Sequence, residues 1–365
     1  MRPRELGYML KGTDHPIMAL TGIALIGLAL AVLPFVLASA GTTWVRITNL
    51  ALLFMLLSLG LNIVVGFAGL LDLGYIAFYA VGAYVYALLA SPQFDIHLPF
   101  WVILPLGALV ACVFGVLLGA PTLKLRGDYL AIVTLGFGEI IRIFLNNLSQ
   151  PVNITNGPQG ISRIDPFQLG DFSFGESETL LGLSFSGPIK YYYLLLAILL
   201  LVIVINIRLQ HSRIGRAWEA IREDEVAARA MGINTTNMKL LAFAMGASVG
   251  GIAGGIFSAM QGFISPESFV LVESIMVLSM VVLGGMGNIW GVIVGALLLS
   301  FVPELLRYTI DPLQKSVFGR SIIEPEVVRM LLFGLALVLM MLYRPAGLWP
   351  SAVRRRELTQ PIREQ

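Results

Sequence analysis

Ten apolar runs, each close to the length that a helix needs to cross a lipid bilayer, dominate this chain. About 20 helical residues span the roughly 30 Å hydrocarbon core. Hydrophobic residues make up 57% of the 365 residues and charged residues 13%, against about 25% charged in an ordinary soluble domain. The sequence therefore predicts an all-α polytopic integral membrane protein with about ten transmembrane helices. The runs are 17–39, 47–65, 72–90, 100–120, 129–147, 190–208, 238–261, 270–285, 288–306 and 327–343.

Glycine clusters blur the boundaries of the third, eighth and ninth of these runs. Irregular backbone at membrane depth is tolerated only where protein or a cavity surrounds it. We therefore expect some of these helices to be short, broken or re-entrant. The clusters are Gly66, Gly69 and Gly74, and then Gly284, Gly285 and Gly287.

The basic residues are distributed unevenly between the two sides of the predicted bundle. With ten spans and both termini in the cytoplasm, 16 of the 24 Lys and Arg residues lie inside, as the positive-inside rule requires. A net charge of +2 gives no indication of nucleic-acid binding. On the outer side, residues 148–189 form a predicted external loop, which is able to act as a lid or to contact an external partner. The predicted division is a cytoplasmic tail over 1–16, a transmembrane domain over 17–348 with an external loop over 148–189 and a cytoplasmic segment over 208–239, and a cytoplasmic tail over 349–365.

The segment 208–239 is a long, strongly charged interruption between two apolar runs. Five arginines, one lysine and four carboxylates are interleaved with alanines, a composition typical of a helix-prone surface. Asp224 is expected to cap a short helix that begins at Glu225, brings Ala228 and Met231 near one face and stops at Gly232. Its small side chains let another surface approach closely. The alternative interpretation is a solvated amphipathic loop.

Residues suited to chemistry are scarce. The three histidines lie outside the apolar runs without metal-ligand spacing, and the single cysteine, Cys112, excludes a cysteine metal cluster. The chain has no GxxxxGK[ST] phosphate loop. We therefore predict no catalytic residue and no metal site, and any use of ATP must take place on another chain.

Ionisable residues in or near the apolar runs are functional candidates by default, and four of them are considered in turn. Glu139 and Arg142 have the spacing of a pair on one helix face. Asp72 suits either a helix cap or a transport role, and Glu273 lies near the outer end of its run. A proton-coupled transporter usually places carboxylates near the bilayer midplane. Here they cluster at predicted helix ends, which favours an energy source outside the chain.

Six stretches, in order from about residue 45 to residue 350, carry a resemblance to a known family. They resemble the LivM-type permeases, transmembrane subunits of bacterial ABC importers for branched-chain amino acids. The stretches are LNIVVGFAGLLDLGYIAFYAVGAY (61–84), LRGDYLAIVTLGFGEIIRIFLNN (125–147), NGPQGI (156–161), SRIGRAWEAIREDEVAARAMGI (212–233), VVLGGMGNIWG (281–291) and PELLR with RMLLFGLALVLMMLYRPAGL (303–307 and 329–348).

The resemblance implies a cytoplasmic coupling helix within residues 212–233 that docks onto an ATPase. The Glu-Ala-Ala then Gly pattern of importer permeases is approximated here, with one extra residue after the Glu. The candidate coupling residues are Arg213, Gly215, Arg216, Glu219, Ala220, Arg222, Glu223, Glu225, Ala227, Ala228, Met231 and Gly232.

A path for an apolar zwitterion needs apolar walls with few polar groups. Helix packing is the alternative role for the candidates, since small residues commonly line close helix contacts. The candidate path residues are Asn62, Gly66, Gly69, Asp72, Gly74, Tyr75 and Tyr79.

The function that the resemblance implies is a permease subunit for leucine, isoleucine and valine in the bacterial inner membrane, with both termini cytoplasmic. The implied partners are a homologous second permease, two ATPase subunits that bind ATP and Mg²⁺, a periplasmic or extracellular solute-binding protein and membrane lipid. This chain itself is expected to bind no cofactor. Two alternatives remain: the same machine for urea, short amides or another small solute, and a stand-alone secondary transporter.

Overall fold

The computed structural model describes residues 16–122, 125, 127–169, 172–180 and 183–318, with scattered positions between 327 and 349. The described residues form eleven α-helices. The predicted run 327–343 and both predicted tails lie largely outside the described residues. The helices are α1 (Pro16–Ala40), α2 (Thr42–Leu61), α3 (Ile76–Leu89), α4 (Phe100–Thr122), α5 (Asp128–Asn147), α6 (Gly187–Gln210), α7 (Arg213–Glu223), α8 (Glu225–Ala230), α9 (Thr235–Gln261), α10 (Leu271–Gly284) and α11 (Ile289–Phe318).

Within the described residues, six helical stretches are long and apolar enough to cross a membrane by length and composition. They are Thr42–Phe67, Phe100–Thr122, Tyr129–Asn147, Gly187–Gln210, Thr235–Gln261 and Pro266–Gly284. Three shorter apolar helices accompany them, Gly27–Ala40, Ile76–Leu89 and Ile289–Val302. The polytopic helical class is thus confirmed, while the total of ten spans remains a prediction.

In the part of the chain that the structure describes, four small antiparallel ribbons gather mainly at one end of the bundle, which we call the strand end. The pairing of β3 with β8 ties the segment between α5 and α6 to the end of α9. The strands are β1 (Ala90–Ser91) with β2 (Ile96–His97), β3 (Ile161–Ser162) with β8 (Phe263–Ile264), β4 (Gln168–Leu169) with β5 (Phe172–Ser173), and β6 (Glu178–Leu180) with β7 (Leu183–Phe185).

Helix α9 is central to the bundle and packs directly on α3 and α4. A Cβ atom built on Gly254 would lie 2.0 Å from the Tyr79 carbonyl oxygen, and one built on Gly251 would lie 2.7 Å from the Gly107 carbonyl oxygen. Glycine therefore lets the helix backbones touch, which is how many membrane helices associate without a hydrophobic driving force. The glycines of α9 form a contact surface.

The opposite end of the bundle, which we call the break end, contains two interrupted helices. Helix α2 continues as a π-helical turn over Asn62–Phe67, and α3 starts only at Ile76. The predicted run 72–90 therefore begins too early, because a turn occupies its first residues. The connection between α10 and α11 also lies here, with positive φ angles at Gly285 and Gly287.

Candidate coupling and translocation site

Helix α7 is positioned by its first residues and by one tryptophan. The Ser212 hydroxyl accepts hydrogen bonds from the amides of Ile214 and Gly215, at 3.1 and 3.2 Å, which makes it the N-cap. The Trp218 side chain is fully buried, and its indole Nε1 donates to the Met238 carbonyl oxygen of α9 at 2.7 Å. These contacts hold α7 against the bundle.

The other face of α7 is charged and exposed. Residues at a spacing of three, namely Gly215, Trp218 and Ile221, are buried, whereas the charges between them face outward. This separation produces an amphipathic helix whose polar face is open to a partner. The exposed charged residues are Arg213, Arg216, Glu219 and Glu223.

Helix α8 begins and ends as the sequence indicates. The Asp224 side chain accepts from the amides of Val226 and Ala227 at 2.8 and 3.0 Å, so the predicted cap is confirmed. The Ile233 amide donates to the Ala228 carbonyl and the Gly232 amide to the Arg229 carbonyl, the pattern of a Schellman motif. Gly232 has φ +86°, which explains why glycine ends this helix.

An ion-pair cluster attaches α8 to α9. The Glu225 carboxylate lies 2.7 Å from Lys239 Nζ and 3.1 Å from Arg229 Nη2. Ala228 is 4% exposed and packs within the chain, whereas Met231 is 84% exposed. The expectation that these two share one surface is wrong, because α8 ends at Ala230, leaving Met231 as its exposed C-cap.

Arg222 connects α7 to the break end. Its Nη1 donates to the Gly66 carbonyl at 2.5 Å, and its aliphatic stem lies against Gly69, where a built Cβ would be 2.7 Å from Arg222 Cγ. A cavity of about 50 Å³ lies beside this contact. Its lining residues are Gly66, Phe67, Gln210, Gly215, Glu219, Arg222 and Gly287.

Two candidate path residues join the interrupted helices. The Asn62 Oδ1 atom accepts from the Gly287 amide at 2.9 Å. A Cβ built on Gly66 would lie 2.0 Å from Asn62 Oδ1 and 2.6 Å from the Gly287 nitrogen. The two breaks therefore meet at a single packed junction, which we call the Asn62 junction (Asn62, Gly66 and Gly287).

Asp72 and Gly74 form the turn before α3. The Gly74 amide donates to Asp72 Oδ1 at 2.9 Å, and the Leu73 amide donates to Thr134 Oγ1 of α5 at 2.9 Å. A Cβ on Gly74 would lie 2.0 Å from the Thr134 carbonyl. Asp72 thus fixes the turn rather than capping the helix, since the N-cap residue is Tyr75.

The two candidate tyrosines pack inside the bundle. The Tyr75 hydroxyl donates to the Gly246 carbonyl of α9 at 3.0 Å. Tyr79 packs against Phe257 and Phe269, with ring centroids 5.3 Å apart in each case. Of the seven candidate path residues, six are buried and Gly69 is exposed. Their contacts therefore favour the packing role.

The predicted pair on α5 is confirmed and extended. Arg142 Nη2 lies 2.5 Å from Glu139 Oε1, and Arg142 Nη1 lies 2.9 Å from Glu267 Oε1 before α10. Arg142 therefore bridges two segments in addition to pairing within its own helix. Glu273, the remaining ionisable candidate, lies in the first turn of α10, near the strand end.

A histidine at the strand end, His97, contacts two carboxylates. His97 Nδ1 makes a short hydrogen bond with Asp165 Oδ2, while Asp95 Oδ1 lies 3.7 Å from Nε2. The hydrogen bond to Asp165 is the main reason that the pKa of His97 lies above its ordinary 6.5. The Tyr86 hydroxyl donates to the Asp165 carbonyl oxygen at 3.2 Å.

We expect this contact to weaken as the pH rises. Because the pKa of His97 is raised on folding, its stabilisation is complete below the ordinary pKa and is lost as the pH passes the raised value. The protection factors of the amides of residues 90–98, which are the exchange rates corrected for their intrinsic pH dependence, should therefore be larger at pH 6 than at pH 8.5. Asp165→Asn should remove the difference; equal protection of the wild type at both pH values would contradict the prediction.

Sequence reasoning missed two residues that position this site. Trp218 anchors α7 and Lys239 holds Glu225, yet neither is among the predicted coupling residues. The apolar spacing of Gly215, Trp218 and Ile221 is a signal for the first, since it marks the buried face of a helix. Lys239 gives no local signal, because its partner lies on another helix.

Residues 43–341 match the family described as branched-chain amino acid transport system, permease component. The chain is 45% identical over 341 residues to the high-affinity branched-chain amino acid transport system permease protein LivM of Escherichia coli, covering 90% of this chain and 74% of that protein. It is 44% identical to LivM of Salmonella typhimurium, over 84% of this chain and 70% of that one.

A more distant relative is a permease named LivH, not LivM. The LivH permease of Escherichia coli is 24% identical over 69% of this chain and 81% of its own length. No solved structure matches the chain. The family match covers most of the chain, and the LivM relatives align along nearly all of the bundle. The chain therefore belongs to the permease family of branched-chain amino acid transport systems.

Proposed function

We propose that this chain is the transmembrane permease subunit of an ATP-driven importer, in which it forms part of the path for leucine, isoleucine and valine. The observation that carries the proposal is the 45% identity to a LivM permease over 90% of the chain. The apolar helices support a multi-pass protein of the inner membrane. A transport subunit of this kind is not an enzyme.

The proposed machine contains a homologous second permease, two ATPase subunits and an external solute-binding protein. The likeness to LivH supports the second permease. ATP and Mg²⁺ would be bound by the ATPases, and this chain would bind no cofactor. We place both termini and residues 208–239 in the cytoplasm and 148–189 outside, in keeping with the distribution of basic residues.

Helices α7 and α8 are proposed as the coupling element. Their exposed charges offer a surface to an ATPase, while Trp218, Ile221 and Ala228 attach them to the bundle. ATP-driven closure can act on the membrane helices only if the docked surface differs in free energy between the two states. A helix that is firmly attached on one face and open on the other meets this requirement.

Uptake of labelled leucine into vesicles tests the proposal. The vesicles would contain this chain with its neighbouring gene products, with and without the ATPases and the binding protein. Uptake that needs ATP and both partners, and that isoleucine and valine compete away, is the expected result. Binding-protein-dependent uptake of urea or an amide would keep the machine and change its solute. Uptake by this chain alone, driven by a proton gradient, would overturn the proposal.

A substitution at the end of α8 should reduce coupling. At φ +86° a β-branched side chain is strained by about 1–3 kcal/mol, so Gly232→Val should distort the segment and reduce uptake while ATP hydrolysis continues. Gly232→Asn is the matched control, because asparagine tolerates this backbone region. Normal uptake by the valine variant would remove Gly232 from the coupling element.

A further inference from the structure

The contact between α7 and the π-helical turn joins two parts of the protein that are far apart in sequence. Arg222 and Gly66 are separated by 156 positions, yet the guanidinium Nη1 lies 2.5 Å from the carbonyl oxygen. Carbonyls in the last turn of a helix lack intrahelical donors. A charged donor there satisfies one of them and also interacts favourably with the negative end of the helix dipole.

The stem of Arg222 adds a second contact. Its Cγ, Cβ and Cδ atoms lie 2.7 to 3.3 Å from the position that a Cβ on Gly69 would take. Gly69 has φ +70° and follows Ala68, the C-cap of the π-helical turn. Arg222 therefore holds the broken end of this helix by a hydrogen bond to one glycine and by packing on another.

Gly66 also lies next to the contact between the two interrupted helices. It packs against the Asn62 side chain, whose Oδ1 accepts a hydrogen bond from the Gly287 amide. Asn62 Nδ2 is buried and donates to no group among the described residues. An unsatisfied buried donor costs free energy, so an arrangement of the junction that satisfies it can compete with the one described.

We propose that Arg222 is a positioning residue that links α7 to the Asn62 junction, so that movement of α7 shifts both interrupted helices together. This inference rests on the proposed function, because it assumes that an ATPase moves α7. It assigns to one side chain the step between the docking surface and the membrane helices. The contact consists of a hydrogen bond from the guanidinium to Gly66 and of packing of the aliphatic stem on Gly69. Substitutions can therefore test the two interactions separately.

The test measures leucine taken up per ATP hydrolysed by the complete importer in vesicles, with co-purification of the subunits as the check on assembly. Arg222→Gln should leave assembly and ATP hydrolysis near wild type and lower uptake per ATP by about tenfold, the size of a typical coupling energy. Arg208→Gln makes the same change at an exposed arginine at the end of α6. It is the matched control for the loss of one positive charge from this surface and should lower uptake per ATP less than Arg222→Gln.

Arg222→Lys provides the second variant. Lysine keeps the stem over Gly69 but offers a compact point charge in place of the planar fork, so its uptake per ATP should fall less than that of the glutamine variant. If the glutamine variant does not assemble, a lysine variant that assembles and shows the full wild-type ratio overturns the inference.

The remaining outcomes distinguish failure of the inference about Arg222 from failure of the proposed function. A wild-type ratio in assembled Arg222→Gln overturns the role of Arg222 while leaving the importer intact. Wild-type uptake that needs no ATP overturns the proposed function and the inference with it. Equal losses in Arg222→Gln and Arg208→Gln also overturn the inference, because they would show that any arginine of this surface matters alike.

Discussion

Replacing Gly254 with alanine should leave little folded protein in the membrane. The new Cβ would lie 2.0 Å from the Tyr79 carbonyl oxygen and 2.7 Å from the Ala83 nitrogen. Both are backbone atoms of α3, which no rotamer change can move aside. Relief requires the two helices to separate, so we expect the free energy of unfolding to fall by about 3 kcal/mol or more, at the upper end of overpacking effects.

Gly136→Ala is the matched control for this substitution. Gly136 lies within α5, and a Cβ built there meets nothing within 4 Å. Alanine in a helix interior loses less conformational entropy than glycine, so this variant should be as stable as wild type or slightly more so. The measurements are the amount of protein in isolated membranes and the thermal midpoint in detergent. Comparable midpoints for the two variants would contradict backbone contact between α3 and α9.

Trp218→Ala should free α7 from the bundle and abolish uptake. The side chain is fully buried, and its truncation removes the hydrogen bond to Met238 as well as the packing. Large-to-small substitutions of this kind cost about 3–5 kcal/mol. The polar face of α7 would remain intact, so ATP hydrolysis should continue while uptake per ATP is lost.

Limited proteolysis separates release of α7 from global unfolding. In Trp218→Ala, cleavage within residues 208–239 should become faster while the remaining bundle stays resistant. Trp218→Phe keeps most of the buried area without the indole donor, so it should show an intermediate effect. Unchanged cleavage and normal uptake in the alanine variant would mean that other contacts suffice to hold α7.

Local signals in the sequence predicted the elements whose causes are local. The apolar runs predicted the helices, and Asp224 with Gly232 predicted both ends of α8, since a cap and a Schellman glycine act within one turn. The pair of Glu139 and Arg142 follows from the same short spacing. These features depend on residues at most eight positions apart.

Contacts between distant segments were beyond such reasoning. The sequence pattern places the start of α3 too early, because its first predicted residues form a turn. In this turn Asp72 accepts a hydrogen bond from the Gly74 amide, and Thr134 of α5 accepts one from the Leu73 amide. The grip of Arg222 on Gly66 and the burial of Ala228 arise from the packing of separate helices. A single sequence contains no record of which glycine meets which backbone, so the Asn62 junction required the structure.

Helix α3 is synthesised long before the helix that covers it. Its 14 residues extend about 21 Å, short of the roughly 30 Å hydrocarbon core, and most of its side chains are buried by protein. At about 5–20 residues per second, roughly 10–30 s pass between the completion of α3 and that of α9. During this interval α3 is too short to span the hydrocarbon core and is not yet covered by α9. Its retention near the insertion machinery until α9 emerges would therefore be a step in the biogenesis of this bundle.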